Sequence, residues 1–116
     1  MTDPSILDAE AIQNLRALED EMEDDSFLKE VEEIYLTDTL KRLTEIHDCL
    51  ASGDQTTFNR AAHSIKGSSS NLGAIRVIGA AKRLEEKSKE SLENLEPDIT
   101  ELVGAFAEAK AALEAL

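Results

Sequence analysis

The sequence predicts an all-α domain: an antiparallel up-down-up-down four-helix bundle preceded by one short additional N-terminal helix. Apolar residues recur at spacings of three and four along almost the whole chain, the period of one helix face. No stretch alternates apolar and polar residues as a half-buried strand does. Glycine and capping residues interrupt the pattern at intervals that leave four long helices joined by short turns. At 116 residues the chain has room for one core, so residues 1–116 are expected to form a single domain. Residues 1–25 would make its N-terminal segment and residues 26–116 its bundle.

Asp8 is placed to cap a short first helix carrying Ile12, Leu15 and Leu18. The acidic run from Glu19 to Asp25 then reads as a connection. Ser26 or Asp25 caps a long helix whose apolar face is Leu28, Val31, Tyr35, Thr39, Leu43, Ile46 and Leu50. Gly53 supplies a stop and Asp54 the next N-cap. The following helix runs from about Gln55 to Leu72, with Phe58, Ala61, Ala62, Ile65, Ser69 and Leu72 on its core stripe, and Gly73 ends it. A further helix begins near Ala74 and carries Ile75, Ile78, Ala81, Leu84 and Ser88. The last one repeats every seven residues through Leu95, Ile99, Leu102, Phe106, Ala109, Leu113 and Leu116. Pro97 falls in its first turn, where a missing N–H costs nothing. So short a heptad run fits a bundle seam as well as a dimeric coiled coil, and a monomer is expected.

Composition excludes several functions. A net charge of −13 opposes nucleic-acid binding, which needs a basic surface. No segment approaches the ~18 consecutive apolar residues of a membrane span. Met1-Thr2-Asp3-Pro4 lacks the basic start and apolar run of a secretory signal. The single Cys49 has no intramolecular disulfide partner, and a cytoplasmic location is expected. Met1 and the capped first helix favour a free-standing protein over a piece of a larger kinase. Charge is unevenly spread. Residues 55–89 hold seven of the 12 basic residues and only two of the 25 acidic ones. A basic zone on an acidic chain points to an acidic or phosphorylated partner met on one side.

Within that zone lies the most informative segment, Ala61-Ala62-His63-Ser64-Ile65-Lys66-Gly67-Ser68-Ser69-Ser70-Asn71-Leu72-Gly73. Residues three and four apart are neighbours on a helix, so His63, Lys66 and Gly67 form one patch off the core stripe, with Arg60 and Ser70 a turn to either side. Helical side chains lean toward the N-terminus. Any side chain at position 67 is therefore expected to lie across His63, and glycine to leave the imidazole open. A mid-helix glycine costs about 1 kcal/mol relative to alanine, so the choice needs a reason. Neutral imidazole is a good nucleophile near neutral pH. It can accept a phosphoryl group and pass it on, with Lys66 and Arg60 as positive charges for the phosphoryl oxygens. The Gly67–Gly73 run is not a nucleotide loop, since it lacks the Gly-Lys-Ser/Thr ending and a preceding strand. Ser70 is a candidate contact for the phosphoryl group or a partner, whereas Ser68 and Ser69 read as small packing residues. His47 and Cys49 read as boundary and packing residues. The two histidines lie on different predicted helices, which argues against a metal centre.

From His63 to Ala74 the chain resembles the signature of the histidine-containing phosphotransfer (HPt) domains of multistep phosphorelays. Histidine, lysine, glycine, paired small residues and Leu72-Gly73-Ala74 fall at that family's spacing. Leu84-Glu85 resembles its pattern on the next helix, and the similarity covers Ser26 to the C-terminus. The resemblance implies a four-helix bundle phosphorylated on Nε2 of His63, with phosphate exchanged with aspartates of receiver domains. Those receivers belong to response regulators or hybrid kinases. Mg²⁺ would sit on the receiver, and this chain would need no cofactor of its own. It implies that Glu85 holds the other ring nitrogen, and that partners dock on apolar surface near Ile75, Val77 and Ile78. The chain would then be a phosphoryl carrier without kinase or nucleotide site. The alternatives are a receiver- or kinase-binding module that carries no phosphate and, further off, an enzyme using His63 as a general base.

Overall fold

A computed structural model describes residues 5–116; the Met1–Pro4 start considered above lies outside the described residues. The described residues form five helices, a short α1 (Ala9–Met22) and the four of the bundle, α2 (Phe27–Ser52), α3 (Gln55–Leu72), α4 (Ile75–Ser88) and α5 (Glu96–Glu114). Consecutive long helices pack antiparallel, and α1 lies against α2 and α3. No helix among the described residues is long and apolar enough to cross a membrane.

Local chemistry sets the breaks. Asp8 accepts the Glu10 N–H, and Asp54 accepts the Thr57 N–H at 3.0 Å. Gly53 and Gly73 close α2 and α3 in the left-handed region, at φ 74° and 66°, where a Cβ is penalised. The first connection differs from the expected one. Helix α1 continues through Glu19–Met22, and the acidic run serves as a cap from both sides of the turn. Glu19 accepts the Leu28 N–H at 2.9 Å, and Asp24 accepts both the N–H and the hydroxyl of Ser26. Ser26 itself makes no side-chain cap bond. Leu18, expected on the apolar stripe of α1, is 44% exposed.

The tightest pairing is α3 with α4. The buried residues include Ala61 and Ala62 on α3 and Ala80 and Ala81 on α4, and small side chains let two helix axes approach closely. Phe58, Ile65, Leu72, Leu84 and Leu102 fill the centre. Across it Tyr35 links three helices, its hydroxyl 2.8 Å from the Ser69 hydroxyl and its ring tilted against Phe106. Ser69 is therefore a hydrogen-bond partner as well as a small packing residue. The buried face of α4 is Val77, Ala80, Ala81, Leu84, Glu85 and Ser88, which is rotated from the expected stripe and leaves Ile75 at 44% exposure. On α5 the heptad holds from Leu95 to Leu113, whereas Leu116 is exposed.

The segment before α1 straps the α3–α4 turn. Asp8 donates to the Gly73 carbonyl at 2.8 Å, Ile75 donates to the Ile6 carbonyl, and Leu7 is buried beneath them. A Cβ on Gly73 would come within 2.6 Å of the Asp8 Cβ and 2.8 Å of the Ala11 Cβ. Gly73 thus answers to two constraints, a left-handed backbone and a close approach. Gly73→Ala is expected to lower unfolding stability by roughly 2–4 kcal/mol, read by urea denaturation, from left-handed strain plus overpacking. A loss under about 0.5 kcal/mol would show that the strap yields freely.

Candidate functional site

Helix α3 buries Ala62 and Ile65 completely, and the same rotation turns His63, between them, to the surface. Its side chain is 66% exposed. Directly across the seam stands Glu85 of α4, at 8% the only buried charged residue among those described. One carboxylate oxygen, Oε2, bonds His63 Nδ1, and the other, Oε1, accepts Lys66 Nζ at 2.5 Å. Burial alone would raise the Glu85 carboxyl. The hydrogen bonds from Lys66 and His63, with their charges, outweigh it and hold Glu85 below the usual carboxylate range. An ionised carboxylate only accepts hydrogen bonds, so neutral His63 carries its proton on Nδ1. In that tautomer Nε2 presents a lone pair, and no described residue bonds it.

The expected pairing of Glu85 with His63 is therefore present, and Lys66 joins it. Two other candidate site residues lie outside this cluster. Ser70 donates its hydroxyl to the Lys66 carbonyl of its own helix at 2.9 Å, and among the described residues it has no bond to His63 or Glu85. Arg60 is exposed one turn before His63 and feels the charge of Asp54 rather than joining the cluster. The steric expectation for Gly67 needs correction. A Cβ built there meets nothing within 4 Å, so an alanine would not touch the imidazole. The space above Gly67 opens to the outside, and only a longer side chain or an approaching partner would use it. Val77, expected on a docking surface, is 1% exposed and belongs to the core. Ile75 is exposed and Ile78 half-buried. His47 is exposed on α2, and Cys49 is buried in the core cluster.

The basic zone is also rearranged. Arg76, Arg83 and Lys87 of α4 pair with Glu108, Glu101 and Asp98 of α5, and Lys66 pairs with Glu85. Among the described residues, the zone's cations without an ion pair are Arg60, Lys82 and Lys89. Arg60 lies a helical turn from His63, and Lys82 and Lys89 lie a turn to either side of Glu85. Folding leaves the open positive charge around the histidine.

The polar seam below this cluster escaped the sequence reading. Asn59 donates its amide to the Glu85 carbonyl at 2.7 Å and to the Ser88 hydroxyl at 3.1 Å. Gln55 donates to the Ser88 carbonyl at 2.6 Å. The available signal was polar residues four apart on the row of His63, opposite a serine on a core stripe.

The Hpt domain family model matches residues 17–116. No curated protein matches the chain. Histidine-containing phosphotransfer protein B (HptB) from Pseudomonas aeruginosa PAO1 superposes with a TM-score of 0.83 at 29% identity, over 97% of this chain and 95% of that one. A candidate histidine-containing phosphotransfer protein from rice has a TM-score of 0.83 at 20% identity, over 95% of this chain and 79% of that one. The HPT domain of a sensor hybrid histidine kinase from Shewanella gives 0.67 at 22% identity, over 88% of each chain. The last two bear on the fold alone. Because the family match runs through all four helices of the bundle, the chain belongs to the Hpt domain family, and its work in a phosphorelay is that of a phosphocarrier, not a kinase.

Proposed function

We propose that His63 is the residue that takes up and gives back the phosphoryl group, exchanging it with aspartates of receiver domains in the cytoplasm. The observation that carries this is the His63 ring itself: exposed, held at Nδ1 by Glu85, with Nε2 bonded to no described residue. The Nε2 lone pair attacks phosphorus of an aspartyl phosphate. The P–O bond to the aspartate breaks, and the carboxylate leaves with the electron pair. The ring keeps its Nδ1 proton and gains a positive charge, which the Glu85 carboxylate balances. In the return step a receiver carboxylate attacks phosphorus and the N–P electrons go back to the ring. Mg²⁺ belongs to the receiver in this scheme, and phosphate binding on this side falls to Lys66 with the open cations Arg60 and Lys82. Ile75 and Ile78 supply apolar docking surface, and Gly67 supplies clearance for the partner.

Incubation with a phosphorylated receiver domain should transfer an acid-labile label to the protein, and His63→Gln should reduce labelling to background. Undiminished labelling of that variant would sink the assignment. At position 67 two substitutions separate stability from access. Gly67→Ala should gain about 0.5–1 kcal/mol of stability and transfer normally, while Gly67→Trp should keep the fold and slow transfer roughly tenfold or more. Equal rates for both would remove the clearance argument.

The Glu85 carboxyl is held low in the folded state, so its contribution is present at neutral pH and lost as pH falls through its folded value. Unfolding free energies of wild type and Glu85→Gln should differ by about 1–3 kcal/mol at pH 7 and converge only at pH below the usual carboxylate range. A gap independent of pH would mean that the carboxylate charge contributes nothing.

A further inference from the structure

We propose that Asn59 is a positioning residue for the His63–Glu85 pair: its side-chain amide caps the end of α4 at the Glu85 carbonyl and so fixes where Glu85 presents its carboxylate. The inference rests on the reading of His63 as the phosphoryl carrier and extends it to a residue that touches neither phosphate nor imidazole.

The argument starts from the last turn of α4. In a continued α-helix the Glu85 carbonyl would accept the N–H of Lys89. Instead Lys89 donates to the Glu86 carbonyl at 3.4 Å, and the chain tightens onto Lys87 through Glu90 and Ser91. The Glu85 carbonyl is thereby one of the orphans that every helix end leaves. It is satisfied from outside the ladder, by Asn59 Nδ2 at 2.7 Å and by the Ser88 hydroxyl at 3.1 Å. Both partners of that amide accept, since the Glu85 carbonyl has no proton and the Ser88 hydroxyl gives its own to the same carbonyl. The amide nitrogen must therefore face α4.

Asn59 stands four residues before His63, so both project from one row of α3. Along that row the frame bearing the imidazole grips the backbone of the residue that holds the imidazole. Glu85 is thus fixed at two points, its carbonyl by Asn59 and its carboxylate by Lys66 and His63. Gln55, one turn further from His63, does the same for the Ser88 carbonyl, but that carbonyl belongs to a residue with no contact to the imidazole. Without the Asn59 amide the Glu85 carbonyl can recapture the Lys89 N–H. The last turn then rewinds, and the carboxylate shifts relative to the ring.

The test compares full-length wild type, Asn59→Ala, Asn59→Asp and Gln55→Ala by ¹⁵N NMR of the His63 ring and by the rate of label uptake from a phosphorylated receiver domain. Wild type should show His63 protonated on Nδ1. Both Asn59 variants should shift the ring toward the Nε2–H tautomer and slow uptake on the order of tenfold, while Gln55→Ala loses thermal stability with tautomer and rate kept. If Asn59→Ala does not fold, the isosteric Asn59→Asp decides by the same readings. An unchanged tautomer and rate in the folded Asn59 variants would overturn the proposal. So would a Gln55→Ala variant that shifts both equally, since that is a general loosening of the seam. A wild type that takes no label refutes the carrier assignment, and the ring tautomer in the same samples still decides the positioning.

Discussion

One carboxylate organises this molecule. Burying an ionised glutamate costs several kcal/mol unless partners replace the water it gives up. Glu85 recovers that cost from two donors on the facing helix, Lys66 and His63. The arrangement works only if α3 and α4 approach closely and in fixed register. Buried alanines on both helices permit the approach. The register follows from the Gly73 turn, which the strap around Leu7 clamps from the far side. The turn at one end of the bundle is therefore part of the register on which the His63–Glu85 pair depends. The fold and the site are linked through helix register rather than through a pocket.

Electrostatics follows the same logic. Surface ion pairs such as those between α4 and α5 contribute little stability individually. Their larger effect is on the field. Arg76, Arg83 and Lys87 are each answered by an acid of α5, which leaves Arg60, Lys82 and Lys89 as the open cations of the zone, all within a turn of the His63–Glu85 pair. On a chain of net charge −13, a small positive area is what an acidic partner finds on approach, and orientation is the property such complementarity tunes best.

Helix boundaries and the histidine were legible in the sequence for related reasons. Asp8, Gly53, Asp54 and Gly73 act locally, through a cap or a positive φ, and local chemistry survives folding. The core stripe of α3 was equally plain, because its apolar residues are buried on one face. Helix α4 was misphased for a physical reason. Ile75 and Ile78 carry the hydrophobicity expected of a core, yet the buried face includes Glu85 and Ser88. Period counting treats a glutamate as solvent-facing and has no means of knowing that a lysine and a histidine wait across the seam. The same blindness hid Asn59 and Gln55, whose partners are backbone carbonyls of another helix. The fate of the basic zone also depended on α5, distant in sequence from the residues it neutralises.

Two glycines of the signature show how a conserved-looking residue type can serve opposite ends. At Gly73 an added Cβ would collide with α1, so the constraint is internal and concerns stability. At Gly67 the same atom would meet nothing, so the fold gains no packing from the glycine and still bears its helix-propensity cost of about 1 kcal/mol. A cost with no internal return points outward, to whatever must come close. The shape of the molecule agrees. Two of its grooves lie away from the histidine, one of about 600 Å³ among Arg16, Leu28, Glu32 and Leu113 and another of about 500 Å³ between α4 and α5. Neither is lined by His63, Lys66 or Glu85. The His63 side chain is 66% exposed and stands outside both. In the proposed transfer a second protein would close over the ring and exclude water, and the open space at Gly67 leaves room for it to do so.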